Sequence, residues 1–225
     1  MSSQHPPLNP AQREAVEHFT GPMLVLAGAG SGKTRVITHR VARLIERGIS
    51  AKGIVALTFT NKAAAEMRER IAKTLGNAPV AKQLTISTFH SFGLGVLTRE
   101  RTNVGSGGAF TIYDQGDQLG CVKELLSRID YGKRFDASVI ASRISNAKNA
   151  FLAPEELPER EGDDYDAITK MVYPRYQEAL KAFQAYDFDD LVCEVARLWR
   201  DSRVQRLYAG TTEIMKDLMG RAMGY

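Results

Sequence analysis

Residues Ala27-Gly28-Ala29-Gly30-Ser31-Gly32-Lys33-Thr34 follow directly on the apolar run Met23-Leu24-Val25-Leu26. This order predicts a buried strand, a glycine-rich turn and a helix opening at Gly32-Lys33-Thr34, the local build of a phosphate-binding loop. The glycines let backbone N–H groups wrap a triphosphate with no Cβ in the way. The helix start adds unpaired N–H donors and the positive end of its dipole. Lys33 would reach the outer phosphates, and the Thr34 hydroxyl would hold Mg²⁺. The strict pattern has glycine in the first position, where this chain has Ala27. A flexible loop with an unrelated lysine is the alternative, and the strand-loop-helix order argues against it.

The residues around the loop extend the pattern. Asn9 and Pro10 predict a helix start, Asn9 as cap and Pro10 in the first turn. Val36, Ile37, Val41, Leu44 and Ile45 share one face of the helix after the loop, and Gly48 ends it. A second strand is expected over 54–59, a helix from Asn61 to Gly76, and a third strand over 84–89 leading into another helix near His90-Ser91. This β-α-β-α-β alternation predicts a parallel, doubly wound α/β sheet whose ligands bind at the carboxyl ends of its strands. Residues 103–108 are glycine-rich and read as a loop. Helices are expected over 118–129, 137–151 and 165–186, with an acidic, proline-containing connector over 154–166. Residues 109–186 thus read as a helical insertion, 187–200 as a return to the α/β domain of residues 1–108, and 201–225 as a separate tail.

Charge is unevenly spread. Residues 1–100 carry 13 Lys/Arg against 6 Asp/Glu, although the whole chain is only +4. A basic nucleotide-binding half suits a phosphate backbone as second ligand. The two cysteines, Cys121 and Cys193, lack metal-ligand spacing and read as reduced packing thiols. No apolar run is long enough to span a bilayer, and the N-terminus lacks the pattern of a signal peptide. A cytoplasmic protein is therefore expected.

Three strand-end motifs now stand in order: Ala27–Thr34, Thr58-Phe59-Thr60-Asn61-Lys62-Ala63-Ala64-Ala65-Glu66-Met67, and Thr85-Ile86-Ser87-Thr88-Phe89-His90-Ser91. Asp187-Phe188-Asp189-Asp190-Leu191 follows later, and Gln12 precedes them all. Over residues 8–198 this set resembles the N-terminal part of a superfamily one DNA helicase of the UvrD/Rep type. The resemblance implies a RecA-like parallel sheet with an inserted helical subdomain, ATP and Mg²⁺ as cofactors, and single-stranded or partly duplex DNA as partner. It implies a nucleotide site of Gln12, the loop from Ala27 to Thr34, and Arg35, with Lys33 and Thr34 in the catalytic role. Gln12 would read adenine, since a side-chain amide donates and accepts at once. Phe59 would stack on bases irrespective of sequence. Asn61 and Lys62 open a helix, where backbone donors and a cation can hold a phosphate, and Thr60 before them would contact DNA with them. Thr88 and His90 are similar to a second strand-contacting motif. Asp187, Asp189 and Asp190 could suggest a metal site, but the resemblance implies a structural return segment.

The resemblance also marks departures. Family members carry an apolar strand ending in Asp-Glu soon after the Asp-Phe-Asp-Asp-Leu motif, and residues 192–200 here read as a helix instead. Such a truncation would leave a sheet edge open to a covering protein partner. Residues 203–218 resemble the C-terminal end of acyl-CoA dehydrogenases, which suggests a fusion near Asp201; a capped amphipathic helix is the plainer alternative. Three rivals to a helicase fragment stay open: a nucleotide- and DNA-binding module without turnover, another phosphate-loop enzyme such as a nucleotide kinase, and a flavin-dependent dehydrogenase.

Overall fold

A computed structural model of the chain describes residues 7–101, 109–130, 132–158 and 162–209. The chain divides into two compact units, residues 1–89 with 205–225, and residues 90–204.

In the first unit, helix α1 (Pro10–Glu17) starts where the sequence predicts. The Asn9 side chain accepts the Gln12 N–H at 2.8 Å, and Gln12 Oε1 accepts the Asn9 N–H at 3.1 Å, a reciprocal capping box. Helix α2 (Lys33–Glu46) follows the glycine-rich loop. Gly48, at φ +85°, closes it: the Gly48 N–H reaches Ile45 O and the Ile49 N–H reaches Leu44 O. Leu8, Ala15, Val16 and Val36 join α1 to α2. Strand β1 (Val55–Thr58), helix α3 (Asn61–Thr74) and strand β2 (Thr85–Thr88) form one β-α-β unit. The strands pair in parallel, Val55 opposite Thr85 and Thr58 opposite Thr88. Val41, Ile54, Met67, Ile71 and Ile86 make the core between α2, α3 and this strand pair.

The expected strand over Met23–Leu26 does not form. Those residues carry no strand assignment, and Leu24 and Leu26 are 83% and 86% exposed. A strand exists through its hydrogen-bonded neighbour, and among the described residues no segment pairs with this one. The three-stranded sheet expected from the alternation is therefore a two-stranded one. The outer edge of β2 is also partly occupied. The Thr85 N–H donates to Ile54 O, so Ile86 turns its polar groups the other way, and Arg68 donates to Ile86 O at 2.6 Å.

In the second unit, α4 (Phe89–Arg99) continues from the last residue of the first. It is followed by strand β3 (Thr111–Tyr113), α5 (Gln115–Ser127), α6 (Ala137–Asn149), α7 (Asp164–Ala182), strand β4 (Ala185–Asp187) and α8 (Asp190–Ala209). Asp114, Asp136 and Asp163 cap α5, α6 and α7. Val122, Leu126, Ile140, Ile144, Ile168, Val172 and Tyr176 are buried together in the core of α5, α6 and α7. The three expected helices are present with shifted ends, and the connector over 154–166 contains a short 3₁₀ turn, Pro154–Glu156.

A short β3–β4 pair accompanies the helices of this unit. Thr111, Ile112 and Tyr113 run parallel to Ala185, Tyr186 and Asp187. Gln184, at φ +49°, breaks the chain out of α7 so that the next three residues can pair. Residues 103–108 and 210–225, with most of the proposed dehydrogenase-like tail, lie outside the described residues. No helix among the described residues is long and apolar enough to cross a membrane.

Candidate functional site

The glycine-rich loop is exposed and turns into α2 at Gly32. Gly30 and Gly32 adopt φ +74° and +86°, a left-handed geometry that side-chain-bearing residues rarely take. Gly32 also needs its missing side chain for space: a Cβ there would lie 2.9 Å from Gln12 Nε2. The loop folds back on itself, with Ser31 Oγ donating to Gly28 O at 2.7 Å. Lys33 Nζ donates to Ala27 O at 3.0 Å and to Gly28 O at 2.6 Å, which places the ammonium over the loop. Thr34 is half-buried in the first turn of α2. Arg35, next along, has a buried Nε with no hydrogen-bond partner.

Gln12 is joined to this loop. Its Oε1 serves the α1 capping box while its Nε2 donates to Ser31 O at 2.9 Å. The packing of α1 on α2 fixes that reach, and Arg40 reinforces it by donating to Ala15 O at 2.8 Å. The structure therefore brings together Gln12 and the residues from Ala27 to Arg35. A group with phosphate oxygens and a bound cation fits this set: the N–H groups at a helix start, one lysine and one threonine hydroxyl.

Phe59 ends β1 and is 88% exposed, so it is not a core aromatic. Its ring stands 5.6 Å from that of Phe89, centroid to centroid, and tilted against it. Thr60 caps α3, its hydroxyl accepting the Ala63 N–H at 3.1 Å. Asn61 and Lys62 are exposed in the first turn of α3, at the positive end of its dipole. Thr88 is buried at the end of β2. His90, in the second unit, is exposed and meets the Phe188 ring edge-on at 5.6 Å.

The aspartates of the Asp-Phe-Asp-Asp segment are engaged otherwise than a metal site would need. Lys148 Nζ donates to Asp187 Oδ2 at 2.6 Å and to Asp190 Oδ1 at 2.8 Å, and all three side chains are buried. Tyr176 Oη donates to Asp187 Oδ2 at 3.0 Å. The other two carboxylate oxygens accept the Asp190 and Asp187 backbone N–H groups. Among the described residues no cluster of His, Cys, Asp or Glu could hold a metal ion. Burial raises the Asp190 carboxyl to about 6, against the pull of Lys148 and with a push from the Asp187 charge. Burial pulls the Lys148 ammonium down, but the two carboxylates outweigh it and its pKa is raised. Burial likewise pushes the Tyr176 hydroxyl and the Cys193 thiol up, the latter to about 11.

Reasoning from sequence did not find Lys148. Its signal was present: Ile140, Ile144, Ala147 and Lys148 fall at helical spacing on one face, which places the lysine on a core stripe.

Residues 8–218 match the UvrD/REP helicase N-terminal domain. The chain belongs to that family. It is 45% identical over 194 residues to the ATP-dependent DNA helicase PcrA of Bacillus subtilis (strain 168), which covers 85% of this chain and 26% of the relative. It is 46% identical over 186 residues to the ATP-dependent DNA helicase Rep of Escherichia coli (strain K12), covering 82% of this chain and 28% of the relative. PcrA of Staphylococcus aureus (strain Mu50) is 40% identical over 195 residues, or 85% of this chain. The chain thus spans about a quarter of the length of these UvrD-family relatives. The family match also runs past Asp201, where the sequence suggests a junction, as far as residue 218.

Proposed function

We propose that this chain is the ATP-binding, single-strand-contacting portion of a UvrD-type DNA helicase. Gln12 and the residues from Ala27 to Arg35 would hold the nucleotide, with Thr34 on Mg²⁺. Phe59, Thr60, Asn61, Lys62, Thr88 and His90 would hold DNA. The observation that carries this is the hydrogen bond of Gln12 Nε2 to Ser31 O, which seats an amide able to pair with a base edge beside a loop suited to phosphates. Bound Mg²⁺-nucleotide supplies the phosphoanhydride that the whole motor hydrolyses. Within this chain, Lys33 and the α2 N-terminus neutralise phosphate charge and Gln12 selects the base.

Unwinding needs two domains that close and open around nucleotide, so this chain alone does not separate strands. ATP hydrolysis by the purified chain, with and without single-stranded DNA and beside Lys33→Ala, tests the assignment. DNA-stimulated turnover lost in Lys33→Ala would support an active site, and turnover untouched by Lys33→Ala would refute the loop's role.

A second reading, a binding module without turnover, is favoured by one observation. Met23–Leu26 is an exposed apolar segment that pairs with no strand among the described residues. A protein segment supplying a further strand would cover it. Dye binding to exposed apolar surface should fall when such a segment is added, and equal dye binding with and without it would count against a covering partner. The dehydrogenase-like tail from 203 onward is a separate proposal; an uninterrupted helicase reading frame across Asp201 in the source DNA would end it.

A further inference from the structure

In the second unit, the segment from Asp187 to Cys193 is gripped from two sides by groups that the nucleotide site does not use. From α6, Lys148 bonds both Asp187 and Asp190, and Asn149 Nδ2 donates to Asp189 Oδ1 at 2.9 Å. Cys193 Sγ donates back to Lys148 O at 3.3 Å. From α4, the His90 ring meets Phe188, and Gly93 lies so close to α8 that a Cβ would stand 1.8 Å from Leu191 O.

Lys148 is only 1% exposed, so it touches no ligand. Every carboxylate oxygen of Asp187 and Asp190 has a donor, and a fully satisfied buried network holds a narrow set of geometries. Phe188 sits between two aspartates that are tied at both ends. The backbone that carries its ring is therefore held by the cluster, and the imidazole packed on that ring inherits the placement. We infer that Lys148 is a positioning residue: through Asp187, Asp190 and Phe188 it fixes the orientation in which His90 meets single-stranded nucleic acid. This rests on the reading of His90 as a nucleic-acid contact.

The test separates positioning from simple charge neutralisation. The triple variant Lys148→Met/Asp187→Asn/Asp190→Asn removes every charge of the cluster and keeps acceptors for the two backbone N–H groups. Tyr176→Phe, a milder change, removes one hydrogen bond from Asp187. The His90 imidazole resonances, assigned with His90→Ala, report its contact with the Phe188 ring. Anisotropy of a labelled oligo(dT) reports binding, and a fluorescent ATP analogue serves as control.

The triple variant should melt near the wild type and bind the ATP analogue equally. Its His90 resonances should shift, and its oligo(dT) affinity should fall by about fivefold, the low end of what one base contact contributes. Tyr176→Phe should shift the His90 resonances in the same direction, by less. Unmoved His90 resonances in either folded variant would overturn the inference, as would unchanged oligo(dT) affinity in a folded triple variant when His90→Ala weakens it. A wild type that binds no oligo(dT) would sink the nucleic-acid reading instead, and the His90 resonances would still decide the positioning role.

Discussion

Gln12 Nε2 donates to the carbonyl oxygen of Ser31 at 2.9 Å, tying the first helix of the chain to the loop that opens the second. The same side chain completes the α1 cap through its Oε1, so a single residue links the start of α1 to the loop.

Two substitutions probe that link. Gln12→Ala removes the loop contact and half of the capping box, and should cost about 1 kcal/mol of stability. If Gln12 reads the base, it should also narrow the preference for ATP over GTP, measured by competition with a fluorescent ATP analogue. An unchanged ATP/GTP ratio would count against base reading. Gly32→Ala meets both an unfavourable φ of +86° and the Gln12 amide. It should weaken nucleotide binding roughly tenfold or more, the result of about 1–2 kcal/mol of strain in the loop.

Phe59→Ala should separate binding from folding. The ring is 88% exposed, so its loss should leave the melting temperature within a degree or two. Stacking on a base contributes about 1–3 kcal/mol, so oligo(dT) affinity should fall by about 5- to 150-fold. A fall in melting temperature with unchanged affinity would make Phe59 a structural aromatic paired with Phe89.

Gly93→Ala tests the close approach of α4 to α8. The clash is with the backbone carbonyl of Leu191, which cannot rotate aside as a side-chain tip can. Destabilisation of about 1–3 kcal/mol or more is expected by urea unfolding. Gly95→Ala, two residues on in the same helix with open space at its Cβ position, should be neutral or slightly stabilising.

The buried cluster gives a pH signature. Asp190 titrates near 6 in the folded chain, above its ordinary 3.8, so folding takes up a proton between those values. The stability that Asp190 contributes is full below about pH 4 and is lost as pH rises through about 6, by up to about 3 kcal/mol. Asp136 and Asp163 shift the other way, the first chiefly through the Ser138 hydroxyl and the second chiefly through Arg143. Their contribution is present above the usual carboxylate range and lost only below it. Urea unfolding at pH 5 and pH 7.5 should therefore show wild type losing more stability on the way up than Asp190→Asn. Equal slopes for the two proteins would refute the assignment. Removing the counter-charge alone, in Lys148→Met, should cost about 3–5 kcal/mol at pH 7.5.

Local chemistry was legible wherever it depends on neighbours in the chain. The Asn9 cap, the start of α2 after Gly32, the start of α3 at Asn61 and the closing Gly48 all follow from residues within one helical turn. The clamp on Asp187 and Asp190 was not legible as such, because Lys148 lies some 40 positions earlier and only the packing of α6, α7 and β4 brings it under the segment. The β3–β4 pair was missed for a related reason. Three-residue strands carry too little periodicity to stand out beside long helices.

The sequence by itself determined where α1, α2 and α3 begin and the family, since these are carried by short contiguous motifs whose backbone needs are local. Tertiary structure alone decided which apolar runs became strands. Ile54 to Thr58 gained a partner and pairs, whereas Met23 to Leu26, equally apolar, stayed exposed. A ladder hydrogen bond needs a second strand at the right place, and that condition is written nowhere in the segment itself.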